Sequence, residues 1–462
     1  MILAATGQEI GINSLLTEIN GFVWGPFTLW LIGLTGLYLM LGLGFQPLLR
    51  IGFGFRAAIT SIRDNRGDGD VSAFKSLTTA LAATIGTGNV AGVAGAIAVG
   101  GPGAVFWMWL IALVGMATKY AESLLAVHYR EVDELGEHVG GPMYFIRNGL
   151  GQKWAWLGWL FAFFGALAGF GIGNGVQSNA MAEALQNSLG VPPLITGIVV
   201  GAITFSVLIG GIERIGRVTQ IIVPMMAFVY VLGAIIILLA NLDKIPTAIT
   251  LIFTNAFSGE AAAGGSVGVV IQRGIARGVF SNESGLGTAP IAQAAAKPGD
   301  PVLQGSVAMI GTFIDTIVIC SMTAIVILIS GIYSEPAYVS GSQNVSLTIN
   351  AFGNTLPGFE WVVVFGTVLF TMTTILGWGY YSEKCLEFLV GIKAIKPFRL
   401  IWVAVAVLGA IASGGMVWTI AEILNGLMAI PNLIGLLLLS PVVFRLTRSY
   451  NFSPKSTPIA SD

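Results

Sequence analysis

Long apolar stretches separated by short polar ones run through almost the whole chain. A membrane-crossing helix needs about 20 mainly apolar residues. Eleven spans are expected on that basis: 22–45, 73–99, 103–127, 156–180, 192–211, 217–240, 268–292, 302–332, 358–381, 400–418 and 420–444. Two of them are interrupted. TIGTGNVAGVA (Thr84 to Ala94) sets Gly86, Gly88 and Gly92 beside polar Thr84, Thr87 and Asn89. Glycine costs roughly 1 kcal/mol relative to alanine inside a helix, so a helix meant only to cross a bilayer gains nothing from this run. GVFSNESGLGTAP (Gly278 to Pro290) repeats the break in the second half, with GLG at 285–287 matching GTG at 86–88. Freed backbone groups are tolerated in hydrocarbon only where protein or a water-filled cavity satisfies them. Two broken helices at matching places therefore point to the central ligand site of a carrier.

Lysine and arginine fall in alternate connections. Arg50, Arg56, Arg63, Arg66 and Lys75 follow the first span; then come Arg130, Arg147 and Lys153; Arg214 and Arg217; Lys297; Lys384, Lys393, Lys396 and Arg399; and Arg445, Arg448 and Lys455. Such loops face the cytoplasm, and they share one side only if the number of spans is odd. The expected layout is an extracytoplasmic N-terminal segment (1–21), an additional helix (22–45), a cytoplasmic basic loop (46–72), a first repeat (73–241), an extracytoplasmic connector (242–267), a second repeat (268–444) and a cytoplasmic tail (445–462). Five spans per repeat give the two repeats opposite membrane orientations. The fold class is thus an all-α polytopic membrane protein, a five-plus-five inverted repeat with two broken helices and one extra N-terminal helix. The N-terminus has no Lys or Arg and so lacks the basic stretch of a cleavable signal peptide.

Composition sharpens this. Of 462 residues 55% are hydrophobic and only 10% charged, against roughly 25% charged in soluble domains. A net charge of −1 argues against a nucleic-acid partner. Two cysteines in apolar context, Cys320 and Cys385, give no disulfide framework. The 62 glycines serve both close helix packing and helix breaks. No HExxH, CxxC or phosphate-loop motif is present, so an embedded enzyme is disfavoured and no cofactor is expected.

The first break carries the most chemistry. N–H groups near Gly86, Thr87 and Gly88 lose their helical partners, and the half-helix that follows presents its positive end there. That suits a carboxylate. Carbonyls at Ala82 to Ile85 present partial negative charge, which suits a small hard cation such as Na⁺. The opposing view is that Gly88 and Gly92 only let helices pack. In the second break Ser281, Asn282, Glu283, Ser284 and Gly285 offer carbonyls to an ammonium, while Glu283 is either functional or a prop for the loop. Asn174 and Gln177 share a helix face and either contact an amino acid or glue helices together. Thr373 and Thr374 offer hydroxyls to Na⁺ or bond their own helix. Trp378, one turn after Thr374, closes a small pocket or belongs to the interface belt.

Charged residues within spans come last. Lys119 and Glu122 are expected to neutralise each other. Arg273 and Arg277 break the positive-inside pattern, and with Glu422 they are expected to form an extracytoplasmic electrostatic latch that gates access. Asp315 has no partner legible in the sequence.

TIGTGNVAGVAGAI (84–97), GGPGAVFWMW (100–109), GGPMYFIRNGLG (140–151), GVFSNESGLGTAPIAQAAA and TILGWGYYSEK (374–384) together resemble the alanine or glycine:cation symporter family, over about residues 22 to 446. The resemblance implies a leucine-transporter-type fold. It also implies Na⁺-coupled uptake of alanine and glycine, with D-alanine a further candidate, across the plasma (inner) membrane of a prokaryote. Aligning GTGN with the first break of that fold puts the carboxylate at Gly86, Thr87 and Gly88, with Thr84 and Asn89 beside it. The same alignment puts the cation between the carbonyls of Ala82 and Ile85 and the hydroxyls of Thr373 and Thr374. Asn174, Gln177, Ser281, Asn282 and Trp378 then complete the amino-acid site. The partners implied are a small amino acid, Na⁺ and the lipid bilayer. The alternatives are H⁺ coupling, with Glu283 and Asp315 as proton carriers, and an ion channel.

Overall fold

The computed structural model describes residues 2–62, 67–258, 267–297, 299–335, 338, 345–412 and 415–452. Among these, eight helices are long and apolar enough to cross a membrane, or nine if the two arms of the first broken span count as one. The chain is an all-α polytopic membrane protein. The other two predicted spans are present but shorter: Pro193–Leu208 has 16 residues, and the second broken span divides into Val267–Asn282 and the five-residue Ala289–Gln293.

Several boundaries move for identifiable reasons. The predicted spans 400–418 and 420–444 are Ile395–Ile411 and Gly415–Ser449. Lys396 and Arg399 looked like loop residues, yet they lie within the helix. Arg399 can be there because its Nε and Nη2 donate to Glu383 at 2.6 and 2.8 Å. The N-terminal segment is a helix, Ile2–Val23, that leads into Pro26–Gly42. The basic loop holds a helix at Ile51–Thr60 and the connector another at Ile245–Ser258.

Helix starts follow capping chemistry. Ser72 Oγ accepts from the Lys75 N–H, and Asp300 Oδ1 accepts from the Leu303 N–H at 2.8 Å ahead of Pro301. Pro193–Leu208 and Gly211–Ala240 expose Leu194, Ile198, Phe228 and Leu239. Helices apolar on the outside as well as the inside are what a bilayer selects.

Three stretches widen into π-helix: Gly88–Gly92, Gly169–Gly175 and Phe313–Cys320. Such widenings free backbone groups and concentrate at functional sites. Gly88–Gly92 packs on Phe313–Cys320, and Gly169–Gly175 packs on Glu360–Val390, so all three gather around the two breaks. Asn20 contacts Glu422 near the start of Gly415–Ser449, while Tyr120 contacts Thr447 near its far end. These contacts mark opposite ends of the molecule.

At the Thr447 end, Val71–Ser72 pairs in parallel with Ala296–Lys297, in the register Val71↔Ala296. This ladder ties the start of the first broken span to the exit of the second. A short hairpin, Glu131↔Val139, lies beside it.

Candidate functional site

Ala73–Thr84 stops at Ile85, whose ψ of 95° leaves helical geometry. The chain resumes through Gly88–Gly92 into Val93–Gly100, and the two arms are bent by 53°. In a continuous helix the Gly86 N–H would bond the Ala82 carbonyl. Here it donates to Asn89 Oδ1 at 2.9 Å. The Thr87 N–H donates to Gln177 Oε1 at 3.3 Å, and Gln177 Nε2 donates to Thr87 Oγ1 at 3.2 Å. The Ile85 carbonyl accepts from Thr374 Oγ1 at 3.2 Å. Glycine is required at 86, because a Cβ there would lie 2.6 Å from Thr374 Oγ1. A Cβ at Gly88 would meet Ser281 Cα at 3.0 Å, so the two breaks touch.

The second break is built differently. Glu283 has a positive φ of 54°, and Gly285 and Gly287 follow at 91° and 80°. The Gly285 and Gly287 N–H groups donate to Glu122 Oε1 at 3.1 and 3.2 Å, which also accepts from Asn432 Nδ2 at 2.6 Å. Lys119 Nζ donates to the Glu283 carbonyl at 3.0 Å. The Glu283 carboxylate accepts from Trp378 Nε1 at 2.8 Å and from Thr288 Oγ1 at 2.6 Å. Lys119 and Glu122 therefore do not form the expected pair with each other. Neighbours on one helix face, they both reach across to the turn at 283–287, whose bare backbone groups need them more.

The predicted residues divide clearly. Gly86, Thr87, Gly88, Asn89, Gln177, Ser281, Ile85 and Thr374 come together. Thr84 Oγ1 bonds back to the Ala80 and Leu81 carbonyls. Asn174 Nδ2 donates to the Trp402 carbonyl at 2.7 Å, away from the break. Asn282 Nδ2 donates to Thr316 Oγ1 at 3.1 Å. Thr373 Oγ1 donates to the Leu369 and Phe370 carbonyls and lies 3.7 Å from Met226 Sδ. Trp378 packs on Gly173, where a Cβ would lie 2.3 Å from the Trp378 Cβ. Ala82 is fully buried.

Two cavities open toward the Glu422 end. One, of about 390 Å³, leads from Thr87 past Ile172, Asn179 and Phe280 to Trp418 and Glu422. The other, of about 220 Å³, is lined by Asn20, Trp24, Arg273, Arg277, Phe280 and Glu422. Arg277 Nη1 lies 3.9 Å from Glu422 Oε1, while Asn20 Nδ2 donates to Glu422 Oε2 at 2.9 Å. Arg273 lays its stem along Gly100. The N-terminal helix thus touches the same carboxylate as the arginine, a partner the sequence did not indicate.

The opposite end is held by charge. Lys384 Nζ meets Glu137, Glu387 and Asp133 at 2.7, 2.8 and 3.3 Å. Arg130 donates to the Ala294 and Ala296 carbonyls and to Asp68. The His138 ring meets Asp70 at 2.7 Å and Asp68 at 3.0 Å. The hydrogen bond from His138, then the charge of that ring, hold the Asp68 carboxyl below its ordinary value; Arg130 adds to this.

The sequence matches the sodium:alanine symporter family over residues 9–459. The chain belongs to that family. It is 50% identical over 440 residues to the sodium/alanine symporter AgcS of Methanococcus maripaludis, covering 95% of this chain and 97% of that protein. It is 47% identical over 448 residues to an uncharacterized transporter of Haemophilus influenzae, covering 95% and 96%. With the amino-acid carrier protein AlsT of Bacillus subtilis it shares 38% over 451 residues, covering 96% and 93%. A symporter of this family is a transporter, not an enzyme.

Asp315 is the residue that sequence reasoning left without a partner, and with a role only in the proton-coupled alternative. It stands in the Phe313–Cys320 widening and accepts from Asn89 Nδ2 at 2.7 Å and Ser281 Oγ at 2.8 Å. An ionisable residue within a span was the available signal. Its partners were not, because they come from both halves of the chain. Asn432, on the last long helix, gave no signal of its own.

Proposed function

We propose that this symporter couples the entry of Na⁺ to the uptake of alanine and glycine by alternating access. The observation that carries this reading is the first break, where turned-out N–H groups and a helix-free carbonyl lie side by side at the inner limit of a cavity. The amino acid's carboxylate is taken by the N–H groups at Gly86, Thr87 and Gly88, replacing Asn89 Oδ1 and Gln177 Oε1, which accept from the first two in this structure. Its ammonium faces the second break near Ser281. Trp378, seated on Gly173 and anchored to Glu283, limits the side chain to a small one.

The carbonyls of Ala82 and Ile85 and the hydroxyl of Thr374 fit a hard monovalent ion, since such oxygens replace its hydration shell. Support comes from the Thr374 to Ile85 contact at 3.2 Å and from the diversion of the Gly86 N–H away from Ala82. Thr373 joins this set by turning its hydroxyl from its own helix. No cofactor is needed beyond the coupling ion.

The basic residues Arg130, Arg147, Lys384 and Arg399 gathered at the His138 end support a cytoplasmic position for it. The N-terminus is then outside, the C-terminus inside, and the latch of Arg273, Arg277 and Glu422 faces out. The membrane is the plasma membrane of a prokaryote. The matched breaks and the odd number of spans support the five-plus-five inverted repeat of leucine-transporter type.

The test is uptake of labelled alanine into proteoliposomes. An inward Na⁺ gradient at equal pH on both sides should accelerate uptake, and unlabelled alanine or glycine should compete. Uptake that responds to a proton gradient and ignores Na⁺ would replace Na⁺ with H⁺ in this reading.

A further inference from the structure

Asp315 is fully buried, and among the described residues no lysine or arginine nitrogen lies within 4.0 Å of its carboxylate. A buried carboxylate is costly unless hydrogen bonds replace its water. This one has three donors: Asn89 Nδ2 on Oδ1 at 2.7 Å, and Ser281 Oγ and Thr316 Oγ1 on Oδ2 at 2.8 and 2.9 Å. Thr316 is its own neighbour. The other two belong to different broken helices. One oxygen therefore holds the first break and the other holds the second.

The connection continues into the binding site. Asn89, whose amide nitrogen is held by Asp315, uses its own Oδ1 to accept the Gly86 N–H at 2.9 Å. Asp315 thus sets the side chain that holds one of the amides assigned above to the substrate carboxylate. Ser281 lies against Gly88. Cys320, one π turn after Asp315, sits 3.3 Å from Asn89 Nδ2 and 3.2 Å from Ser281 Oγ, a weaker brace in the same place. The π-widening accounts for this arrangement, because it puts residues five apart on one face.

We propose that Asp315 is the positioning residue that couples the two breaks, so that ordering of one is felt as ordering of the other. Parting the breaks strips the carboxylate of a donor inside the protein. The braced arrangement is therefore favoured as a unit. Ion binding at the first break and amino-acid docking against the second are linked through it, and such linkage is reciprocal. This rests on the Na⁺-coupled reading, which the first arm of the experiment checks separately.

Alanine binding to the purified full-length protein is measured with and without Na⁺, in wild type, Asp315→Asn, Ser281→Ala and the double variant. Wild type should bind more tightly in Na⁺; no gain there counts against Na⁺ coupling rather than against the brace. In Asp315→Asn the Na⁺-dependent gain should fall by about tenfold, within the range of coupling factors between sites. The Na⁺-free affinity should change much less. Ser281→Ala should lose a similar factor, and the double variant no more than either alone, since both cut one connection. In Asp315→Asn a role in folding alone would weaken both affinities together and leave their ratio intact, and that result overturns the proposal; Ser281→Ala, which also lies beside the ammonium, is read by the ratio alone.

Hydrogen exchange in Ser281→Ala supplies an arm that needs no Na⁺. The amides of Gly86 to Asn89 should exchange about tenfold faster than in wild type, as expected for released local structure. Thr288→Val, in the second break but off the brace, should leave them unchanged. Unchanged exchange in Ser281→Ala defeats the brace.

Discussion

The two breaks solve the same problem in opposite ways. At the first, the freed backbone is met by neutral side chains: Asn89, Gln177 and Thr374. At the second, charged ones join the neutral Asn282 and Asn432: Glu122 lies under the Gly285 and Gly287 amides, and Lys119 on the Glu283 carbonyl. A neutral partner is readily exchanged for a ligand atom. A buried charge that gives up its partners is left uncompensated. The first break is therefore the one built to change partners, and the second the one built to stay as it is.

Glu122→Ala tests the fixed side and should have the largest effect. It orphans the Gly285 and Gly287 amides, at about 1–3 kcal/mol for each buried donor, and leaves Asn432 Nδ2 with the Gly285 carbonyl alone. The melting temperature in detergent should drop by several degrees, with little folded protein recovered. A stable, active variant would erase the contrast. Gly86→Ala probes the adaptable side. Its Cβ would sit 2.6 Å from Thr374 Oγ1 and 3.2 Å from Gln177 Oε1. Overpacking costs about 1–3 kcal/mol, so Na⁺-driven uptake should fall by about tenfold to a hundredfold. The folded yield should suffer less than in Glu122→Ala.

Gln177→Ala removes the acceptor of the Thr87 N–H. A neutral hydrogen bond is worth about 1 kcal/mol, so the KM for alanine should rise by about fivefold while the melting temperature holds. Trp378→Phe keeps an aromatic face but loses half of the indole together with the N–H donated to the Glu283 carboxylate, and uptake should fall by at least about threefold. Its alanine-to-glycine ratio should shift, since a smaller ring leaves more room; an unchanged ratio would take selectivity away from Trp378.

The smallest effect is expected beside the parallel ladder of Val71–Ser72 with Ala296–Lys297. Asp68 is held below its ordinary value of 3.8. Its contribution to stability is complete above that value and is lost as pH falls through the lowered native one. Asp68→Asn should flatten the fall of the melting temperature on acidification toward pH 3. Its side chain is 78% exposed, so the change is slight.

Much of this was legible in the chain. The two glycine-rich breaks needed only a ruler of apolar length and a list of helix breakers, and Gly86 and Thr87 came with the first; Gln177 and Thr374 stood out separately, as polar residues within two other spans. Lys119 and Glu122 were misread because spacing along one helix shows which residues are neighbours, not where a longer reach pays better electrostatically. Asn174 shared a face with Gln177, yet its amide serves the Trp402 carbonyl; the Gly169–Gly175 widening changes the turn there and so rotates one residue relative to the other. Asp315 was visible as an oddity and unintelligible as a part, since two of its three donors, Asn89 and Ser281, lie far from it in sequence. Arg399 was taken for a loop residue because its counter-charge, Glu383, sits on another helix.

The parallel ladder of Val71–Ser72 with Ala296–Lys297 carries a consequence for how the protein is made. Its second strand leaves the ribosome long after the first, with almost half the chain between them. Until then the mouth of the first broken helix has nothing to pair with. The early half must wait in the membrane, threaded but unfastened, and a chain cut short before Ala296 leaves that mouth open to proteolysis.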